Sequence, residues 1–163
     1  MIIRKILFHI RTAIVVLWYR LIYGSRLVVG RDLSLRKDFN LMIAKNATVS
    51  IGNSCFFNSH CTIDSEASVS IGNCCLFAEN VKIYDNYHRF AKESMPIKDQ
   101  GTNSGSISIG DNCWLASNVV VLKGANIGNN CVISANCIIS SRIPDGSIVR
   151  NSLVQNIEQI DYR

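Results

Sequence analysis

VSIGNSC (49–55), VSIGNCC (69–75) and ISIGDNC (107–113) are near-copies of one heptapeptide, and a looser copy, NIGNNC, occupies 126–131. Each copy restarts one frame. Every sixth residue from Ile109 is aliphatic: Ile109, Leu115, Val121, Ile127, Ile133 and Ile139. Four places after the first five of these come Cys113, Val119, Ala125, Cys131 and Cys137, all small or modest in size. The frame begun at Ile51 gives Phe57 and Ile63, with Cys55, Cys61 and Ala67 four later. The frame begun at Ile71 gives Phe77 and Ile83, with Cys75 and Val81. Self-similarity at a hexapeptide period is the signature of a β-solenoid.

The period has a physical cause. Each hexad supplies one short strand and a turn, which make one side of a triangular prism. The aliphatic residue points inward, and the small residue four later fills the corner. Gly52, Gly72, Gly110 and Gly128 follow the aliphatic residue, where the chain turns and a side chain would crowd. Three hexads close a coil of about eighteen residues, and coils stack at the strand spacing of about 4.8 Å. No coil buries its inner face alone, so stability comes from stacking. The pattern predicts an all-β solenoid of about five coils within residues 27–163. A weaker coil falls at 29–48, and strong ones at 49–84 and from 107 onward.

Seven cysteines in such a chain invite a metal or disulfide reading, but no CxxC occurs. Six of the seven fit the inward corner, where a thiol behaves as a small hydrophobe. Cys74, beside Cys75, is the one expected to face outward. This reads as packing in a reducing cytosol, with no metal.

A length of 163 residues suits one domain, and 48% hydrophobic against 18% charged residues suits a continuous core. The net charge of +5 is concentrated. Residues 1–26 carry Arg4, Lys5, Arg11, Arg20 and Arg26 and no acid, while the rest of the chain holds 12 basic and 12 acidic groups. A neutral solenoid argues against a nucleic-acid partner. In MIIRKILFHIRTAIVVLWYRLIYG the longest stretch free of Arg, Lys and His is 12–19, short of the roughly 20 residues a membrane span needs. No small-residue cleavage site follows. Wound as a helix over 1–26, it sets Ile3, Ile6, Leu7, Ile10, Ile14, Leu17 and Leu21 on one face. Two readings stand open: packing on the solenoid end or between subunits, or a basic amphipathic helix lying on an anionic membrane surface.

The frame stops over residues 85–106, DNYHRFAKESMPIKDQGTNSGS, and resumes at Ile107. A polar insertion between regular coils is a projecting loop, and loops on rigid scaffolds tend to carry function. His88 stands at its root beside Asp85 and Asn86. His9 lies on the helix, and His60 reads as a solvated strand residue. Histidine is the side chain that titrates near neutral pH, which suits a general base. His88 is therefore the candidate base, with Asp85, Asn86 or a loop carbonyl to fix its tautomer.

Over residues 29–149 the chain resembles the hexapeptide-repeat acyltransferases. IYDNYH (83–88) is similar to that family's YDHDH motif, whose last histidine is the general base and falls on His88. IGDNCWLASNVVVLKGANIGNNCVISANCIIS (109–140) resembles the corresponding run of the maltose and galactoside acetyltransferase branch, and Trp114 falls on that branch's active-site tryptophan. The stretch YRLIYGSRLVVGRDLSL (19–35) resembles O-acetyltransferases of bacterial surface polysaccharides. The resemblance implies a left-handed parallel β-helix, a homotrimer, and acetyl-CoA lying along the groove between adjacent prisms. It implies an acceptor pocket at Trp114, Tyr87 and Arg89. It implies that Trp114, Ser117, Ala135 and Ser140 line the cofactor arm, with Lys123 and Arg142 toward its phosphates.

The chain departs from the pattern in places. Asn86 replaces the motif's first histidine, and Ser140-Ser141-Arg142 stands where Thr-Lys or Ser-Lys is usual. The closing Gly-x-Pro-Ala is replaced by IVRNSLVQNI (148–157).

The expected activity is acetyl transfer from acetyl-CoA to a sugar hydroxyl of a capsule, O-antigen or other surface polysaccharide or its precursor. With the cysteines inside the prism, transfer would be direct, in a ternary complex. The expected place is the cytoplasm, peripherally on the inner face of the membrane. Acetylation of a nucleotide-linked amino sugar is the alternative, and a non-catalytic structural solenoid is another. A solenoid carbonic anhydrase would need three histidines, and an ice-binding solenoid a ladder of threonines; the chain's four threonines form none.

Overall fold

Burial alternates along each short strand and resets at each corner. In Thr48–Ile51, for example, Val49 and Ile51 are buried while Thr48 is exposed. The structure, a computed structural model, describes residues 2–151, with side chains from Leu7 onward. Helix α1 (Ile2–Tyr23) leads through a short turn into the first coil: β1 (Leu27–Val29), β2 (Ser34–Leu35) and β3 (Asn40–Ile43). The second coil is β4 (Thr48–Ile51), β5 (Phe56–Phe57) and β6 (Thr62–Ser65), and the third β7 (Ser68–Ile71), β8 (Leu76–Phe77) and β9 (Lys82–Tyr84). A hairpin of β10 (Asn86–His88) and β11 (Thr102–Ser104) intervenes. The fourth coil is β12 (Ile107–Ile109), β13 (Trp114–Leu115) and β14 (Val120–Leu122), and the fifth β15 (Asn126–Ile127), β16 (Val132–Ile133) and β17 (Ile138–Ile139). β18 (Arg142–Ile143) and β19 (Ile148–Val149) begin a sixth.

Parallel strands stack into three sheets: β1-β4-β7-β12-β15-β18 forms the first face, β2-β5-β8-β13-β16-β19 the second, and β3-β6-β9-β14-β17 the third. Aliphatic residues stack in register, Ile51 on Ile71, Ile71 on Ile109 and Ile109 on Ile127. The count is five complete coils and most of a sixth, slightly above the five expected. The extra strands lie where Pro144-Asp145-Gly146 replaces the repeat's usual turn, although Ile143 and Val149 still pack against the core.

All six in-frame cysteines are buried and Cys74 is exposed. The thiols do more than fill space. Cys55, Cys75 and Cys131 each donate to a turn carbonyl of the next coil at 3.1 Å, and Cys113 does so at 3.0 Å. Phe57 stacks on Phe77 with centroids 4.2 Å apart.

The corners explain the glycine and the Asn or Asp that follows it. A Cβ on Gly52 would sit 2.5 Å from the Gly72 carbonyl oxygen, so only glycine lets the coils close up there. The next residue staples the coils. The backbone N–H of Asn53 donates to Asn73 Oδ1 (2.9 Å), that of Asn73 to Asp111 Oδ1 (2.6 Å), and that of Asp111 to Asn129 Oδ1 (2.8 Å). One place on, the chain enters the left-handed region at Asp32, Ser54, Cys74, Asn112 and Asn130. The second corner does the same at Asp38, His60, Asn80, Asn118 and Asn136. His60 is therefore a turn residue with φ 65°, not a strand residue, and its Nδ1 lies 3.4 Å from Asp38.

Helix α1 closes the first coil, whose edge has no strand before it. Tyr19 Oη donates to Phe39 O (3.1 Å), Tyr23 Oη to Leu41 O (2.8 Å), and Arg26 to the carbonyls of Ile43 and Ala44 (both 2.9 Å). Thr12 is buried against Leu35, with Val15 and Val16 beside it. The packed face is thus not the aliphatic stripe that the sequence shows, whose two readings the sequence leaves open. Ile3 and Ile6 fall among side chains outside the description, but Leu7, Ile10, Ile14, Leu17 and Leu21 are exposed. The reason is hydrogen bonding: a sheet edge presents carbonyls, and hydroxyls answer them where aliphatic groups cannot.

Cys74 is the one thiol of seven open to solvent, and it sits in a backbone region that favours Asn. Cys74→Asn should raise the melting temperature by about 1–3 °C, since Asn112 and Asn130 directly above already pair through their side-chain amides. Native titration with a thiol reagent should fall from one group per chain to none.

Candidate active site

The insertion is an ordered arm. It leaves the corner between the third and first faces, between the third and fourth coils. Asn86 pairs with Ser104, Tyr87 with Asn103 and His88 with Thr102 in an antiparallel ladder. Beyond it, Arg89 N donates to Gly101 O (2.9 Å) and Arg89 Nε to Thr102 O (2.8 Å). Near the tip, Gln100 ties down Lys92 and Met95.

The root is anchored by a buried carboxylate. Asp85 is fully buried; it accepts from Ser65 Oγ (2.7 Å), Glu66 N (2.7 Å) and Ala67 N (2.9 Å). Glu66 in turn accepts from Thr102 Oγ1. On the other side, Lys123 Nζ donates to Asn103 Oδ1 (2.8 Å) and lies 4.5 Å from the Tyr87 ring centroid. The result is a braced strand that carries the exposed imidazole of His88.

This geometry corrects several sequence expectations. Asp85 does not orient His88, because both its oxygens serve the Ser65–Ala67 turn. Asn86 faces the root, its Nδ2 3.4 Å from Asp85 Oδ1 and 3.5 Å from Asp64 O. Lys123 is bound to the arm through one of its three N–H groups. Arg89 is engaged through Nε, and Tyr87 is exposed beneath its lysine.

Trp114 lies on the second face, opposite the corner that bears the arm, so one prism holds it apart from His88. Ser117 and Ala135 lie at the corner between the second and third faces, where Asn136 N donates to Ser117 O (3.0 Å). Ser140 lies at the next corner and Arg142 opens β18 on the first face; both are exposed. The expected cofactor line is therefore split between two edges of a single chain.

The faces differ in character. Phe56, Leu76, Trp114, Val132 and Ile148 form an outward apolar ladder on the second face, with Trp114 47% exposed. The first face presents Ser50, Ser70, Ser108, Asn126 and Arg142 at the equivalent register.

Asp64 and Glu66 were not singled out from sequence. Asp64 stacks under Tyr84 at the arm's root, and its carboxyl is pushed up by burial and then by nearby Glu66 and Asp85. The signal was present: DSE (64–66) falls one coil-length before the insertion.

A prism of parallel strands wound from hexapeptides, broken once by an arm bearing an exposed histidine, defines the hexapeptide solenoids as a class. Residues 106–141 match the model of the bacterial transferase hexapeptide (six repeats). The putative lipopolysaccharide biosynthesis O-acetyl transferase WbbJ of Escherichia coli K12 is 30% identical over 168 residues, covering 90% of this chain and 86% of WbbJ. Galactoside O-acetyltransferase of the same strain is 32% identical over 141 residues, covering 86% of this chain. The chain spans only 58% of that relative's length. The solved galactoside acetyltransferase in complex with coenzyme A superposes with a TM-score of 0.68 at 28% identity, covering 83% of this chain and 66% of that one. The chain belongs to the hexapeptide-repeat transferase family.

Two outcomes test the root. Asp85→Ala should cost about 2–4 kcal/mol in urea unfolding, because a hydroxyl and two backbone N–H groups lose their acceptor. An unchanged midpoint would remove its anchoring role. Asp64→Asn should stabilise at neutral pH and lose that advantage in acid. A raised folded-state pKa means that ionisation costs stability as pH rises through it. Unfolding curves at neutral and acid pH decide this.

Proposed function

We propose that the protein is an acetyl-CoA-dependent O-acetyltransferase that modifies a sugar hydroxyl of a bacterial surface polysaccharide or its precursor, at a site shared between copies of the chain. One observation carries this reading: His88 stands exposed on a braced arm, on the opposite side of the prism from Trp114 and its apolar ladder. A single chain cannot close a pocket from these parts. A head-to-tail contact, the second face of one copy against the arm of the next, brings them together and closes as a ring. A homotrimer is the assembly proposed. The relatives' names, galactoside O-acetyltransferase and lipopolysaccharide O-acetyl transferase, support the acceptor class.

The residues fit the donor in part. Ser117 and Ala135 are small and adjacent on one edge, leaving backbone open to an extended thioester arm. Arg142, exposed on β18, and Lys123, which donates to Asn103, are the cations proposed for phosphate. Acetyl-CoA supplies the acetyl group as a thioester. His88 takes the proton of the acceptor hydroxyl as that oxygen bonds to the acetyl carbon, and returns it to the departing thiolate as the C–S bond breaks. Backbone N–H groups at the shared edge are the proposed donors to the developing oxyanion. Six cysteines are buried, the exposed Cys74 lies at the corner between the first and second faces, and the arm carries none, so direct transfer is the mechanism proposed. Unpaired thiols and this donor suit the cytosolic side.

His88→Ala should lower kcat by about 10² or more with an unchanged unfolding curve. Trp114→Ala should chiefly impair use of the acceptor. The decisive experiment mixes the two variants. If the site is shared, exchanged subunits form some pockets with both residues intact, and activity returns. An inactive mixture of exchanged subunits, or a sedimenting monomer with full activity, would reject the shared site. A screen with labelled acetyl-CoA that finds amine acceptors alone would reject O-transfer.

A further inference from the structure

Helix α1 has two apolar faces, and only one is used. Thr12, Val15, Val16, Tyr19 and Tyr23 pack on the first coil. On the opposite side Ile10, Ile14, Leu17 and Leu21 are exposed, Leu21 by 74%, and Trp18 and Ile22 are exposed at the margin of that side. With Leu7 at its start, the stripe runs about 22 Å along the helix. It points away from the solenoid, at the pole of the prism. Patches of this extent on a soluble surface mark interaction sites.

Charge identifies the occupant. Residues 1–46 hold nine basic and two acidic groups, whereas 47–163 hold eight basic and ten acidic. The positive pole of the molecule is therefore the end toward which the stripe faces. Within the helix no acid offsets the cations. Arg20 is tied to Val29 O (2.9 Å) and Arg26 to the first coil, but Arg11 flanks the stripe and is exposed. A second copy placed stripe to stripe would oppose two poles of net positive charge, with only Asp32 and Asp38 on each to offset nine cations. An anionic lipid surface satisfies both properties at once: acyl chains take the aliphatic residues, headgroups take the cations, and Trp18 suits the boundary between them. Among the described residues, no helix is long and apolar enough to cross a membrane.

We infer that the exposed face of α1 docks the protein on an anionic membrane surface, with the helix lying in the plane of the interface and the solenoid standing above it. The inference rests on the helix and the charge distribution, and is independent of the catalytic reading.

The test uses the full chain, because α1 also closes the core and deleting it would open the first coil. Flotation is measured with vesicles of phosphatidylcholine containing about one third phosphatidylglycerol, and with phosphatidylcholine alone. The expected result is flotation with the anionic vesicles at low salt, at least partial release at high salt, and little binding to neutral ones. Ile14→Glu with Leu17→Glu should reduce the bound fraction about ten-fold or more, leaving the unfolding curve and sedimentation unchanged. Arg11→Glu should reduce it about five-fold or more at low salt. Absence of flotation, equal binding to neutral vesicles, or full binding by the double variant would each overturn the inference. So would a smaller oligomer for the double variant, which would make the stripe a subunit contact.

Discussion

The closeness of successive turns constrains everything else. At Gly52, Gly72, Gly110 and Gly128 any Cβ would lie within 2.8 Å of backbone or side-chain atoms of the next coil. With glycine there, the Asn or Asp of the next coil can reach back and accept the N–H that follows the glycine. Backbone approach and side-chain staple therefore depend on each other. Together they hold the registers that stack Ile51, Ile71, Ile109 and Ile127 inside. They also force each coil to present its outward residues in vertical rows. One row is apolar on the second face and another is serine-rich on the first, so the fold converts a six-residue repeat into faces with distinct surface chemistry.

The same rigidity makes one interruption useful. An insertion can leave a stacked solenoid only at a corner, and this one leaves between the third and fourth coils. Asp85 below and Lys123 above grip its two strands. Each reaches its partner across about one coil's length of chain: Ser65 precedes Asp85 by twenty positions, and Asn103 on β11 precedes Lys123 by twenty. The imidazole thus inherits its position from coil stacking. A carboxylate beside a histidine in sequence has a different job in space, because alternate residues of a strand face opposite ways and Asp85 faces in.

What was legible follows from the range of each interaction. The hexad frame, the inward cysteines and the outward Trp114 depend on local periodicity, and the structure has them as read. The sixth coil was missed because Pro144-Asp145-Gly146 replaces the aliphatic-Gly signal, although Asp145 still accepts from Asn129 N (3.0 Å). His60 was misplaced because its hexad carries histidine where Asn usually takes the left-handed turn. Asp85, Lys123 and the split of Ser117 and Ala135 from Ser140 depend on which corner of which coil a residue occupies, information beyond any single hexad.

The helix shows the limit of amphipathicity as a guide. Its aliphatic periodicity marks a real face, but not the one that folds onto the protein. The first coil offers a row of open carbonyls, and the free energy of leaving them unpaired selects Thr12, Tyr19 and Tyr23. Aliphatic packing is non-directional and finds any apolar medium, whereas a hydroxyl must meet an acceptor at a fixed place. The directional groups therefore decide which side faces the solenoid, and the aliphatic side is left for another solvent. Because the helix is fixed by those hydroxyls, its free face has one orientation relative to the prism. Whatever that face binds must meet the molecule end-on, with the arm and His88 held three coils away along the prism axis.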